Sequence, residues 1–209
     1  MRRLALLVAA ALVAGALASG AGAHGDPASE YLATHQLFVP IKVPLPEADQ
    51  VRLSTLVGNA NRQGYRIRVA VIGSRFDLGV EGDVWGKPVE YATNIAQDVA
   101  YTYRGPILVV MPSGLGVHQI GRGTQSDQAL LERIRPQAGP HGLAAAAIEG
   151  VRELAAAHGV RLAVPRNVVT EAQRNRHDRI LIASAAAIGL ALWALTGIRR
   201  RRRRAATPA

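Results

Sequence analysis

The sequence predicts an α/β fold, a three-layer αβα sandwich around a small mixed sheet, followed by a single C-terminal transmembrane helix. Three observations predict it. Two runs rich in β-branched and apolar residues, 66–72 (RIRVAVI) and 107–111 (ILVVM), read as central strands. They are flanked by segments whose apolar residues recur with helical period, and that alternation implies helices on both faces of a sheet. Finally, residues 180–198 form an uncharged stretch that stops against six consecutive arginines, Arg199 through Arg204.

In chain order, the first 23 residues have the three parts of a secretory signal. Arg2 and Arg3 form the positive end, residues 4–17 the apolar core, and Ala21-Gly22-Ala23 a small-residue cleavage site. Asp26 followed by Pro27 and Glu30 predicts a helix start, with Tyr31, Leu32, His35 and Phe38 on one face. Pro40, Pro44 and Pro46 then forbid helix until a second one, 46–63, whose stripe is Val51, Leu53, Leu56, Val57 and Ala60. Gly64 ends that helix and the strand 66–72 follows at once. After a loop at 73–86, Pro88 opens a helix to about Tyr103, with Val89, Ala92, Ile95, Ala96, Val99 and Tyr103 inward.

Gly105-Pro106 breaks that helix before the strand 107–111, whose unbroken apolarity predicts burial on both faces. A turn at 112–116 returns an antiparallel strand at 117–121. Helices at 126–135 and 141–158 complete the domain, the second carrying Gly142, Ala146 and Gly150 at a four-residue spacing that lets a neighbour approach its backbone. A short edge strand is expected at 160–164 and a polar stalk at 166–179. At ~1.5 Å rise per residue the 19 residues of 180–198 cover roughly 28 Å, the thickness of a bilayer core. Only a helix satisfies its own backbone hydrogen bonds there. The arginines hold the tail, 199–209, in the cytoplasm, so residues 24–165 form an extracytoplasmic domain of a single-pass type I membrane protein.

The formal charge of +10 misrepresents that domain. Of the 25 Lys and Arg, two are Arg2 and Arg3, one is Arg179 and six are Arg199 through Arg204, leaving 16 against 15 Asp and Glu in residues 24–178. With no concentrated basic stripe, no nucleic-acid partner is expected. The expected partners are membrane lipid, with Arg199 through Arg204 favouring anionic headgroups, and a protein of the cell envelope. The absence of cysteine excludes disulfides, thiol chemistry and cysteine-based metal sites.

The stretch ILVVMPSGLGVHQIGRG, 107–123, resembles the TPM-domain family, in which an apolar strand and tight turn lead into a strand ending at a Gly-x-Gly step. The helix before RIRVAVI also suits that family's order of elements, and the resemblance covers about 46–158. It implies an αβα sandwich outside the membrane, in a family with proposed phosphatase and ion-binding members. The chain departs from the pattern in three places. VPIKVPLPEAD replaces the usual acidic opening, Gly121-Arg122-Gly123 replaces Gly-Tyr-Gly, and PSGLG lacks acidic residues.

No catalytic signature stands out. Asp77, Glu81 and Asp83 lie within seven residues of one another, in the loop beyond the first central strand. Open α/β sheets place ligands beyond the carboxyl ends of their strands, so these three are the metal candidates and Ca2+ the cofactor candidate. Their spacing fits no EF-hand loop, and a solvated acidic loop is the plainer reading. Ser113 lacks the Gly-x-Ser-x-Gly elbow. His24 would begin the mature chain and offer copper an amine and an imidazole. His35, His118, His141, His158 and His177 match no metal spacing. Trp85 is expected to seat the loop on the third helix, and Ala185-x-x-x-Gly189 would permit close helix pairing. The expected function is a membrane-anchored, non-catalytic module that binds an envelope partner; the alternative is a TPM-like metal-dependent phosphatase or hydrolase, or an ion-binding domain.

Overall fold

A computed structural model describes residues 25–165, and the compact unit to which they belong ends at Pro165. The export signal, His24, the stalk with His177, the span at 180–198 and the arginine tail lie outside the described residues. Among the described residues no helix is long and apolar enough to cross a membrane.

Strands β1 (Leu37–Phe38), β2 (Arg68–Val71), β3 (Ile107–Met111) and β4 (Gly114–His118) form one sheet in that order. The first three are parallel, and β4 runs back antiparallel beside β3. Around them lie α1 (Pro27–Leu32), α2 (Glu47–Arg62), α3 (Pro88–Asp98), α4 (Gln125–Leu131) and α5 (Pro140–Ala157). The described residues therefore form an α/β domain with a small mixed four-stranded sheet.

Strand period two divides the core. Val69, Val71, Leu108, Val110, Leu115 and Val117 meet α2, α4 and α5 on one face. On the other, Ala70, Ile72, Ile107, Val109 and Met111 meet α1, α3 and two short 3-10 turns, Arg75–Leu78 and Gly82–Val84. All five residues of β3 are fully buried, as continuous apolarity predicted. Both parallel steps cross the sheet in the same direction, yet α2 and α3 lie on opposite faces. The two crossovers consequently have opposite hands, and one departs from the usual right-handed rule.

Several expectations are corrected. Phe38 is not on the first helix, which ends at Leu32; it lies in β1, the outer parallel strand. No strand forms at 160–164, so the sheet's extra edge comes from the N-terminal side instead. The third helix stops at Asp98, and Tyr103 is buried beyond it, donating its hydroxyl to the carbonyl oxygens of Arg66 (2.6 Å) and Pro106 (3.1 Å). The fourth runs Gln125–Leu131 rather than 126–135, and neither Ser126 nor its N-cap Thr124 makes a side-chain cap bond.

The hairpin differs most. Its turn is only Pro112-Ser113, because Met111 pairs with Gly114, and the glycines taken for turn are strand. Gly116 has a packing reason to be there. A Cβ at that position would lie 2.3 Å from the backbone of Pro88 and Val89, so only glycine lets the start of α3 cross β4 at this distance. At Gly150 on α5 a Cβ would meet the side-chain ends of Leu115 (2.7 Å) and Leu108 (3.3 Å), so the helix packs close on the sheet there.

The outer edge of β4 is met by the side chains of Gln128 and Thr124, the latter donating its hydroxyl to the Val117 carbonyl at 3.4 Å. Gln128 of α4 accepts from the Val117 amide and donates to the Leu115 carbonyl, both at 3.1 Å, imitating a further strand. This satisfies backbone groups that would otherwise template pairing with another chain. It also docks the first turn of α4 beside the end of α5.

Candidate functional site

Asp77 is fully buried and its oxygens already have partners. One accepts from the Ile41 amide at 2.9 Å; the other accepts from the amides of Gly73 (3.0 Å) and Ser74 (2.8 Å) and the Ser74 hydroxyl (3.0 Å). Such a carboxylate knits the 40–43 and 73–78 segments together. Glu81 accepts from the Asn94 side-chain amide at 2.6 Å, and Asp83 is exposed. Among the described residues, no group of three His, Asp or Glu converges where a metal ion could be held. The structure does not bring Asp77, Glu81 and Asp83 together.

Beyond the same carboxyl edge, Ile41, Phe76 and Val80 are exposed apolar side chains, while Trp85 packs partly buried against the core beneath α3. Asp26 is buried as the N-cap of α1 and also accepts from the Tyr91 hydroxyl and, at 2.5 Å, the Ser29 hydroxyl. Ser113 sits exposed in the hairpin turn, and His35 stacks on Tyr31 at 4.1 Å between ring centres. His141 lies 2.6 Å from Asp49 at the surface, joining α5 to α2.

The opposite edge of the sheet carries a different arrangement. The chain enters β2 at Tyr65-Arg66, enters β3 at Gly105-Pro106, leaves β4 at Gln119 and turns back at Arg122. The antiparallel pairing of Ile107 with His118 brings the end of β4 to the starts of β2 and β3. Gly159, at φ +81, takes the left-handed turn that stops α5 and leaves His158 as its C-cap at the same edge. Together they wall a cleft of about 520 Å³, lined among others by Gln63, Tyr65, Arg66, Gln119, Arg122 and His158.

His158 is fixed on three sides. Its Nε2 lies 3.0 and 3.1 Å from the two oxygens of Asp127, a buried residue in the first turn of α4. Its Nδ1 faces the Arg122 guanidinium at 3.4 Å, and its ring stacks on Tyr65, 5.1 Å between centres and 13° between planes. Arginine only donates, so toward Arg122 Nδ1 can act only as the acceptor, which leaves Nε2–H to donate to Asp127. Tyr65 is 8% exposed, and its hydroxyl has no hydrogen-bond partner among the described residues. Burial, reinforced by the Asp127 charge, pushes that hydroxyl's pKa well above its ordinary value.

Of these cleft residues sequence reasoning marks only Tyr65, as either core or a partner surface, and none as a ligand site. His158 matched no metal spacing, Arg122 stood out only as a departure from a family pattern, and Asp127 reads as ordinary acid at a helix start. No local motif could announce a pair separated by 31 positions. No family model, no curated protein and no solved structure matches the chain.

Proposed function

We propose that this chain is a membrane-anchored extracytoplasmic module that binds a partner in the cell envelope without catalysing a reaction, and that the cleft at the amino edge of the sheet is where it binds. The cleft itself carries the reading: a recess of about 520 Å³ with cationic and amide side chains at its rim and an aromatic pair in its wall. That volume lies within the ~300–1,000 Å³ usual for ligand pockets. The export signal, the apolar span at 180–198 and the arginine stop support the anchored topology.

The second reading, a TPM-like hydrolase, is favoured by the Asp127–His158 pair, which resembles the orienting half of a general-base site. Its other ring nitrogen, however, faces Arg122 rather than a hydroxyl nucleophile. A base in that place would have to draw a proton beside a permanent cation. Binding is the better use of this geometry.

Photo-crosslinking tests the reading. A photoreactive residue at Gln119, in the full chain in intact membranes, should give a discrete adduct with an envelope protein. The same probe at Phe76, on the opposite edge, should give none. Equal labelling from both positions, or none from Gln119, would count against it. Metal-stimulated phosphatase activity lost in His158→Asn would move the conclusion to the hydrolase.

A further inference from the structure

We infer that the amino-edge cleft accepts an oxyanion, a phosphate or carboxylate group, through the guanidinium groups of Arg66 and Arg122. The inference rests on the binding role proposed above and adds the chemistry of the ligand.

The only residues at the rim with a permanent charge are two arginines. Arg66 and Arg122 each present five N–H groups and no acceptor, and both are exposed at the cleft. Neither has a carboxylate within ion-pair distance among the described residues. No Asp or Glu lines the cleft. Asp127 stands behind its wall, 5% exposed, with both oxygens turned to His158. Two uncompensated cations facing one recess call for a ligand rich in acceptors, and guanidinium forks match the paired oxygens of carboxylate and phosphate.

The recess is also built before any ligand arrives. Asp127 fixes His158, the stacked ring of Tyr65 backs it, and Nδ1 of His158 in turn gives Arg122 an acceptor. Tyr65 adds a buried hydroxyl with no partner in the same wall. At about 520 Å³ the cleft has room for more than one phosphate group.

The test uses the full chain in detergent, with sodium phosphate and sodium acetate as probes and sodium chloride at matched ionic strength as control. Phosphate should raise the melting temperature saturably, acetate more weakly, and chloride not at all. In Arg66→Gln and Arg122→Gln the phosphate midpoint should shift at least tenfold, with Arg133→Gln, an exposed arginine outside the cleft, unchanged. No saturable response to either oxyanion, or a response kept in the Arg66→Gln/Arg122→Gln double variant, would overturn the inference. Its failure is separable from that of the binding role. A Gln119 adduct formed without any oxyanion response removes only the ligand chemistry. An oxyanion response without an adduct leaves that chemistry standing and removes the envelope partner.

Discussion

At the carboxyl edge of the sheet Asp77 is fully buried and accepts four hydrogen bonds from the two loops around it. At the amino edge Asp127 is equally hidden but has one partner side chain, His158, which it holds against the wall of a cleft. The same functional group serves structure at one edge and organises a recess at the other. The difference lies in what surrounds each carboxylate. A loop that folds back on itself offers several backbone amides to one acid, whereas the ends of four separate elements leave an open space with a single neighbour.

The sharpest way to break that contrast is to remove Asp77. Asp77→Ala takes the shared acceptor from three backbone amides, two of them in half-buried residues, and the loss should be about 3 kcal/mol, read as the urea midpoint of the purified chain. Since its oxygens are already engaged, calcium should leave the wild-type melting temperature unchanged. A calcium-dependent rise lost in Asp77→Asn would restore the ion-binding reading of the loop.

His158→Ala should cost less, about 2 kcal/mol, because the Asp127 carboxylate left behind is buried but the histidine itself is partly exposed. A loss as large as that of Asp77→Ala would mean that the dyad is a structural girder and the contrast between the edges false.

Tyr65→Phe removes a buried hydroxyl without a partner and should stabilise the domain by about 1 kcal/mol. It should also soften alkaline unfolding. Burial raises the pKa of Tyr65, Tyr91 and Tyr103 above the ordinary tyrosine value. Above pH ~10 the unfolded chain therefore releases protons that the folded one keeps. This stability is fully present below that pH and lost as pH rises past it. A variant whose alkaline slope equals wild type would show that Tyr65 does not share in it. The smallest effect belongs to Phe76→Ser, where 77% exposure predicts a change within about 0.5 kcal/mol.

Much of the fold was legible locally. Asp26 caps α1, Pro88 opens α3, and the unbroken ILVVM run is buried on both sides, each as short-range chemistry dictates. Legibility failed where a distant backbone set the conformation. Gly114-Leu115-Gly116 looks like turn, and becomes strand by pairing with Val109, Val110 and Met111 of β3, while at Gly116 the start of α3 crosses too closely for a side chain. Leu37-Phe38 looks like the tail of a helical stripe, and becomes strand because the edge of β2 is open to it.

The sequence by itself determined the two central strands, the helices that cover them, the near-neutral balance of residues 24–178 and the absence of thiol chemistry. These follow from side-chain period, turn residues and composition, which act over a few neighbouring positions. Only the tertiary structure decided which carboxylates were engaged with their own loops and which faced a cleft. Arg66, Arg122, Asp127 and His158 meet because antiparallel β4, the left-handed stop after α5 and the docking of α4 on the sheet edge bring four chain segments to one place. That convergence depends on packing between elements far apart in the chain, and no short stretch of residues encodes it.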